Sequence, residues 1–289
     1  MKRYCFFVIF VLIFLTTNSW AIDLPRISQA KIRLSVPTGQ TKYGEVTVEN
    51  PGSEERSMRL YLEDWYYLPG SDGSKEFMPA DSSLRSCASW ISFSPAEFTL
   101  PPFGKQRVSY SVKVPEGKSG GYYEALFFEN TAGAIGAPQA GIGATMDLIL
   151  RIAALFYVEV EGTVRRNAEF SNLVVEKESN RKPLTIKLDF KNIGNTDITT
   201  SSSYNIIDRK GMVYARGVFN DLYSFPGDSG KLIAVWKNDI PKGRYDLVMT
   251  FNLGKALEEA NVGRGPVITK EAGIEIGENG DLVSVGELK

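Results

Sequence analysis

The side chains that most often carry out chemistry in proteins are scarce in this sequence of 289 residues, which contains no histidine. Histidine is the commonest general base and a common metal ligand, so its absence excludes the usual catalytic triads. The two cysteines are Cys5 and Cys87, and no histidine is available to activate either thiol. The residue types therefore argue against an enzyme, and in particular against a cysteine protease of the usual kind.

Neighbouring carboxylates, such as Glu63 with Asp64 and Glu258 with Glu259, are the next candidates for acid–base chemistry. Adjacent residues of a strand point to opposite faces of a sheet, so Glu63 and Asp64 cannot act on one substrate from one strand. We interpret these carboxylates as solvated surface residues. Residues 71–74 hold one carboxylate and lack the spacing of a calcium-binding loop. We therefore expect no metal, no cofactor and no small-molecule substrate.

The segment between Trp90 and Asn130 shows the clearest structural pattern. Aliphatic and aromatic residues alternate with polar ones from Arg107 to Val114, which is typical of an antiparallel strand with one face on a core. Residues 122–129 are apolar on both faces, which predicts a strand in the middle of a sheet with both faces covered. These strands, rather than helices, must position any functional side chain.

A similar order of turn and strand residues recurs later in the chain. Lys105 and Lys231 are 126 positions apart, and so are Pro115 and Pro241. One shared offset indicates two tandem domains of one kind, although Pro/Gly turns are common to all β-sandwiches. Beyond the N-terminal segment no stretch has a sustained helical period, and residues 257–261 form at most a helical turn. We therefore predict an all-β chain of two tandem β-sandwich domains.

The N-terminus has the features of a secretory signal peptide. Lys2 and Arg3 precede a short apolar run over residues 5–15, and Ser19-Trp20-Ala21 supplies small residues before a cleavage site. We place cleavage after Ala21, with an uncleaved anchor as the alternative. The protein is then secreted across the inner membrane and lies in the periplasm or cell envelope. No later segment is a candidate membrane span.

Cleavage would leave 31 basic and 34 acidic residues, a charge of about −3 with no basic block. We therefore expect no nucleic acid partner. Cys87 becomes the only thiol, and its position at the start of a strand favours burial over intermolecular pairing.

We divide the chain into a signal peptide (1–21), an N-terminal domain (22–162), a C-terminal domain (163–276) and a loose acidic tail (277–289).

Four short segments carry a resemblance to a known family. They are Arg33-Leu-Ser-Val-Pro-Thr-Gly, Val46-Thr-Val-Glu-Asn-Pro-Gly, Phe98-Thr-Leu-Pro-Pro-Phe-Gly and Leu155-Phe-Tyr. In this order, after a signal peptide, the chain resembles the periplasmic pilus-assembly (fimbrial) chaperones, and most strongly over residues 27–160. The resemblance implies two immunoglobulin-like domains and binding of a protein client, a pilus or surface-fibre subunit. An outer-membrane assembly protein is a further partner that it suggests.

Chaperones of that family lend an edge strand to a subunit that lacks its last strand, by β-augmentation. Met146, Leu148, Leu150 and Ile152 suit that role, because they alternate along one face after the Gly/Ala-rich residues 131–144. An ordinary last strand that packs on its own core would show the same alternation. The sequence leaves both interpretations open.

The family also holds the client's terminal carboxylate with two basic residues in the cleft between its domains. Arg33 matches the first of these positions, whereas Ala154 stands at the second. Arg151 could substitute only with a shifted strand, because an odd offset reverses the face. Arg33 could otherwise be a solvated charge at a sheet edge.

Two rival functions fit the same strands. One is a structural or adhesive envelope protein of two immunoglobulin-like domains without a client. The other is a sugar-binding or accessory module, which would need a groove lined by exposed tryptophan or tyrosine. The feature that separates the first rival from the chaperone is whether the edge near residues 146–152 is open or covered.

Overall fold

The computed structural model describes residues 24–70, 72–130 and 150–289. Within these ranges nearly all regular structure is strand, arranged as two β-sandwiches, and the fold class predicted from the sequence is confirmed. Both sandwiches are built from strands whose side chains alternate between a buried and a more exposed face. Among the residues that the structure describes, no helix is long and apolar enough to cross a membrane.

The first domain contains ten strands within the described ranges. They are β1 (Arg26–Ile27), β2 (Lys31–Val36), β3 (Thr41–Glu49), β4 (Arg56–Tyr67), β5 (Lys75–Pro79), β6 (Ile91–Ser94), β7 (Glu97–Leu100), β8 (Lys105–Lys113), β9 (Gly121–Asn130) and β10 (Arg151–Val160). One sheet has the order β1-β3-β8-β6, and the facing sheet has the order β2-β10-β9-β4-β5, with β7 beside β4. A short 3-10 helix, Ala88–Trp90, precedes β6.

The first-domain core lies between these two sheets. In β8 the side chains of Val108, Tyr110 and Val112 are buried, as the alternation predicts. β9 is buried along almost its whole length and lies between β10 and β4, so the predicted central strand is confirmed. Cys87 is fully buried and forms no disulfide, which confirms the buried interpretation of this thiol.

The second domain repeats the sandwich architecture. Its elements are β11 (Ala168–Glu176), β12 (Leu184–Asn192), β13 (Ile198–Thr199), β14 (Ser201–Asp208), β15 (Val213–Val218), β16 (Tyr223–Ser224), β17 (Ser229–Trp236), β18 (Gly243–Asn252), α1 (Lys255–Glu259), β19 (Val267–Ile276) and β20 (Leu282–Val285). Sheet β11-β12-β17 faces sheet β15-β14-β18-β19-β20, and β13 pairs with β16. The buried alternate residues of β12, from Leu184 to Phe190, supply much of the core between them.

The C-terminal segment is not loose, contrary to the expectation from its acidic composition. β20 pairs with β19, and the amide of Gly286 donates to the carbonyl of Gly273 at 2.7 Å. Lys289 and Glu271 exchange backbone hydrogen bonds at 2.9 and 3.2 Å. The free side of β19 offers unpaired backbone groups, and pairing with them outweighs the low hydrophobicity of the tail.

Asp64 is a second departure from the sequence interpretation. As expected, Glu63 and Asp64 point to opposite faces of β4, but Asp64 is fully buried rather than solvated. Asp64 shares the core-facing side of β4 with Met58 and Leu60, so its carboxylate lies at the end of the first-domain core.

Candidate functional site

The edge of the first domain next to β10 is the first part of the candidate site. Leu155–Val160 of β10 pairs in parallel with Lys31–Val36 of β2 on one side and in antiparallel with β9 on the other. The pairing with β2 begins only at Leu155, whereas the pairing with β9 begins at Arg151. Arg151–Ala154 is therefore paired on one side, and no strand of the described residues pairs with its other side. We call these four residues the open half of β10.

The backbone directions in the open half follow from its neighbours. The amide of Leu155 donates to the carbonyl of Ala30 at 2.9 Å, on the β2 side, and the carbonyl of Leu150 accepts from Asn130 at 3.0 Å, on the β9 side. Because backbone groups alternate sides along a strand, those of Arg151 and Ala153 point away from β9. A guest strand placed there would continue the line of β2.

The predicted donor residues are only partly within the described ranges. Met146 and Leu148, like the Gly/Ala-rich residues 131–144, lie outside them. Leu150 is half-buried and directly precedes β10. Ile152 is partly buried and packs against the core of its own domain. Ile152 therefore lies where an ordinary strand residue would lie. The guest-binding role of the four predicted donor residues stays a prediction.

Arg33 lies in the cleft between the domains, on the outward face of β2. Its Nη1 and Nη2 atoms donate to Oδ1 and Oδ2 of Asp197, at 3.2 and 2.5 Å. The guanidinium carbon lies 4.1 Å from the centre of the Tyr157 ring, and Glu159 Oε1 is 3.9 Å from Nη1. The Arg33 side chain is only 8 % exposed, so it is not a solvated edge charge.

Electrostatics in the cleft keep this arginine charged. Burial opposes the positive charge of Arg33, but the carboxylate of Asp197 favours it and holds the pKa of Arg33 above its ordinary value. Burial also raises the pKa of Tyr157 to about 12, so this phenol stays neutral beside the guanidinium. The phenols of Tyr67 and Tyr157 are hydrogen-bonded at 3.2 Å. The sequence offered no signal for Asp197, which belongs to the second domain.

Ala154 and Arg151 do not join Arg33 in the cleft. Ala154 is fully buried on the core-facing side of β10, where a basic side chain would have to enter the hydrophobic core. Arg151 points outward, but at the opposite end of β10. There its Nη1 donates to Glu63 at 2.9 Å, and its guanidinium lies over the ring of Phe127 at 4.2 Å.

An aromatic cluster holds the two domains together behind Arg33. Phe225 of the second domain stacks on Tyr123 with ring centres 3.8 Å apart, and it lies 4.8 Å from the rings of both Trp65 and Tyr67. Offset and edge-to-face aromatic contacts of this kind favour one orientation. The cluster therefore fixes the walls of the cleft in which Arg33 lies.

A cavity of about 510 Å³ opens in the cleft beside Arg33. Its lining includes one acidic side chain, Glu159, and four basic and three aliphatic side chains, which are Arg33, Lys42, Arg166, Arg264, Leu34, Leu257 and Val262. Arg166 is paired with Glu159, whereas Lys42 and Arg264 have no carboxylate partner among the described residues. The excess of positive charge makes the cavity suitable for an anion with an adjoining apolar group.

Comparison with solved structures finds similar chains among fimbrial chaperones. The class 5 fimbrial chaperone CfaA has a TM-score of 0.46 and 13% identity, over 85% of this chain and 98% of that one. A chain of the CsuC–CsuE chaperone–tip adhesion subunit complex from Acinetobacter baumannii has a TM-score of 0.42 and 12% identity, over 86% and 98%.

The E. coli chaperone DraB has a TM-score of 0.39 and 11% identity, over 85% of this chain and 95% of that one. No protein-family model matches the sequence, and no curated protein matches it.

Proposed function

We propose that this protein is a periplasmic chaperone that binds a pilus or surface-fibre subunit by lending it an edge strand. The open half of β10 is the observation that carries the proposal, because its outward backbone groups lack a strand partner among the described residues. A guest strand that pairs there gains backbone hydrogen bonds, and its side chains set the register. The family-like segments around Arg33 and Leu155 support the same function.

The donated side chains in this proposal are Met146, Leu148, Leu150 and Ile152. Aliphatic side chains two residues apart lie on one face of a strand, where they can fill a groove left by a missing strand. Ile152 already contacts its own core, so Leu150 and the residues before it would carry most of the guest contact. No catalytic step is needed, and we propose a binding function without enzymatic activity, cofactor or metal.

Arg33 is the proposed anchor for the terminal carboxylate of the client. An arginine has five N–H donors, and Asp197 accepts from two of the nitrogen atoms, so donors remain for a second carboxylate. Lys42 and Arg264 line the same cavity and would add to the attraction for an anion. In this proposal they compensate for Ala154, the position at which the family has its second basic residue.

Client capture from the cell envelope tests the proposal. The wild type and the double variant Leu148→Asp plus Leu150→Asp are purified with their bound proteins, and these are identified by mass spectrometry. Val213→Asp plus Val218→Asp is the matched control, since it places the same two charges on exposed aliphatic residues of β15 in the second domain. We expect a fibre subunit with the wild type and the control but not with the double variant. Equal capture by all three would refute strand lending.

One observation favours the rival structural function. Ile152 packs on its own core as the last strand of an ordinary sandwich would. A structural or adhesive envelope protein without a client would yield no fibre subunit in any of the three purifications. That outcome would replace the chaperone proposal with the structural one.

A further inference from the structure

Two carboxylates lie opposite each other inside the first domain. The ladder between β4 and β9 ends at the pair Glu63 and Ala125, and one further step in the same register places Asp64 opposite Glu124. Both residues are on the core-facing side, next to the pair Leu62 and Leu126. Asp64 and Glu124 are each 0 % exposed.

Neither carboxylate has a compensating cation. Among the described residues no ion pair reaches either group, and each has one oxygen, Oδ1 of Asp64 and Oε1 of Glu124, without a hydrogen-bond partner. The other two oxygens are bonded: the amide of Ser83 donates to Asp64 Oδ2 at 2.6 Å, and Ser86 Oγ donates to Glu124 Oε2 at 3.1 Å. Two buried like charges on facing positions strongly favour retention of one proton.

The surroundings of the pair contain few other titratable or charged groups. Asp81, in the loop after β5, accepts from Ser86 at 3.5 Å, and Cys87 is fully buried nearby. Arg85 donates to the carbonyl of Gly121 and lies over Tyr122 rather than bonding to either acid. From β10 the facing residue is Phe156, which is apolar.

We propose that Asp64 and Glu124 share one proton, and that this shared proton makes the stability of the first domain depend on pH near neutrality. The proton satisfies both free oxygens in a carboxyl–carboxylate hydrogen bond and removes one of the two charges. The same two acids hold the loop of Ser83 and Ser86 over the end of the core. Loss of the proton at alkaline pH therefore loosens that loop.

The direction of the pH effect follows from the bound proton. Burial and the neighbouring Asp64 raise the pKa of Glu124 to about 9 from an ordinary 4.5. Between these values the folded protein binds a proton that the unfolded chain does not, so stability falls as pH rises through the window. The effect of one such proton is about tenfold in the unfolding equilibrium constant per pH unit.

The chain contains few other groups that titrate near neutrality. The protein has no histidine, which is the side chain that ordinarily titrates near neutrality. The α-amino group titrates there too, but it is common to all variants. A pH dependence of stability between pH 6 and 8.5 that disappears in one amide variant is therefore assignable to the pair.

The experiment is urea unfolding of the purified protein at half-unit steps from pH 6 to 8.5. We compare the wild type with Glu124→Gln and Asp64→Asn, in which an amide donates the hydrogen bond without needing a shared proton. Glu97→Gln, at an exposed position of β7, is the control. The wild type and the control should lose stability as pH rises, by about tenfold per pH unit in the unfolding constant. Glu124→Gln should show no such loss, and Asp64→Asn should show a smaller loss than the wild type, because Glu124 stays buried but has lost its charged neighbour.

Equal pH slopes in the wild type, the control and both amide variants would overturn the proposal. If the amide variants do not fold, infrared spectroscopy of the wild type at pH 7 decides between the outcomes. A shared proton gives a protonated carboxyl band, and a fully ionised pair gives none. Hydrogen exchange over residues 80–90, corrected for intrinsic rates, should rise with pH in the wild type and the control but not in Glu124→Gln.

Discussion

The two halves of β10 belong to one strand but have different surroundings. Leu155–Val160 is paired on both sides and almost fully buried, whereas Arg151–Ala154 is paired only with β9 among the described residues. The paired half holds the sandwich together and carries Tyr157 under Arg33. In the proposed function the two halves divide the work: the paired half fixes the register of β10 on the core of its own domain, and the open half is available to a guest strand.

Substitution in the paired half should have the largest effect. Phe156 is fully buried between the sheets and meets the ring of Tyr110 at 5.0 Å between centres. Phe156→Ala should destabilise the protein by about 3–5 kcal/mol, because it leaves a cavity in a packed core. Urea unfolding measures the loss, and a change below about 1 kcal/mol would show that this half of the strand is not structural.

Two proline variants one position apart sharpen the comparison. The N–H of Ala154 faces β9, so Ala154→Pro removes a ladder bond, leaves a buried carbonyl unsatisfied and should cost at least about 1–3 kcal/mol. The N–H of Ala153 faces the open side, so Ala153→Pro should leave the stability nearly unchanged and abolish client capture. Unfolding curves and the envelope capture assay provide the two readouts. Equal effects of both variants on stability would contradict the assigned backbone directions.

Asp197→Asn separates two roles of Arg33, which are clamping the domains and anchoring a client. The variant weakens the pair with Arg33 and should cost about 1–3 kcal/mol, because Glu159 remains near the guanidinium. An anchoring Arg33 stays available, so we expect client capture with Asp197→Asn and its loss with Arg33→Ala. Loss of capture in both variants would show that Arg33 acts through domain orientation alone.

Arg151 should have the smallest effect. Its side chain is 40 % exposed, and its ion pair with Glu63 lies at the surface. Exposed pairs contribute little, so Arg151→Ala should change stability by no more than about 1 kcal/mol. A loss of several kcal/mol in urea unfolding would mean that the outer face of the open half is structurally coupled to the core.

Much of the fold was predictable because it depends on local alternation. The buried residues of β8 and β12, the central position of β9 and the burial of Cys87 all follow from patterns within single segments. Alternation of apolar and polar residues indicates which side chains of a strand are buried, wherever one face of the sheet packs on a core. The two-domain arrangement follows from the recurrence of such segments.

The remaining features depend on pairing between distant segments. Asp197 lies 164 positions from Arg33, and no local pattern connects them. The pairing of β20 with β19 likewise requires a free sheet edge that the sequence does not reveal. Asp64 and Glu124 did carry a signal, since each falls on the apolar phase of its strand. For Asp64 the general preference of carboxylates for water favours the solvated interpretation, which the structure shows to be wrong.

Hydrogen exchange at Ala153, with and without the captured subunit, tests strand lending most directly. The amide of Ala153 should exchange readily in the free protein and become protected in the complex, while the amide of Ala154 stays protected in both states. Unchanged exchange at Ala153 on binding would show that the client uses another surface, and it would contradict the central claim.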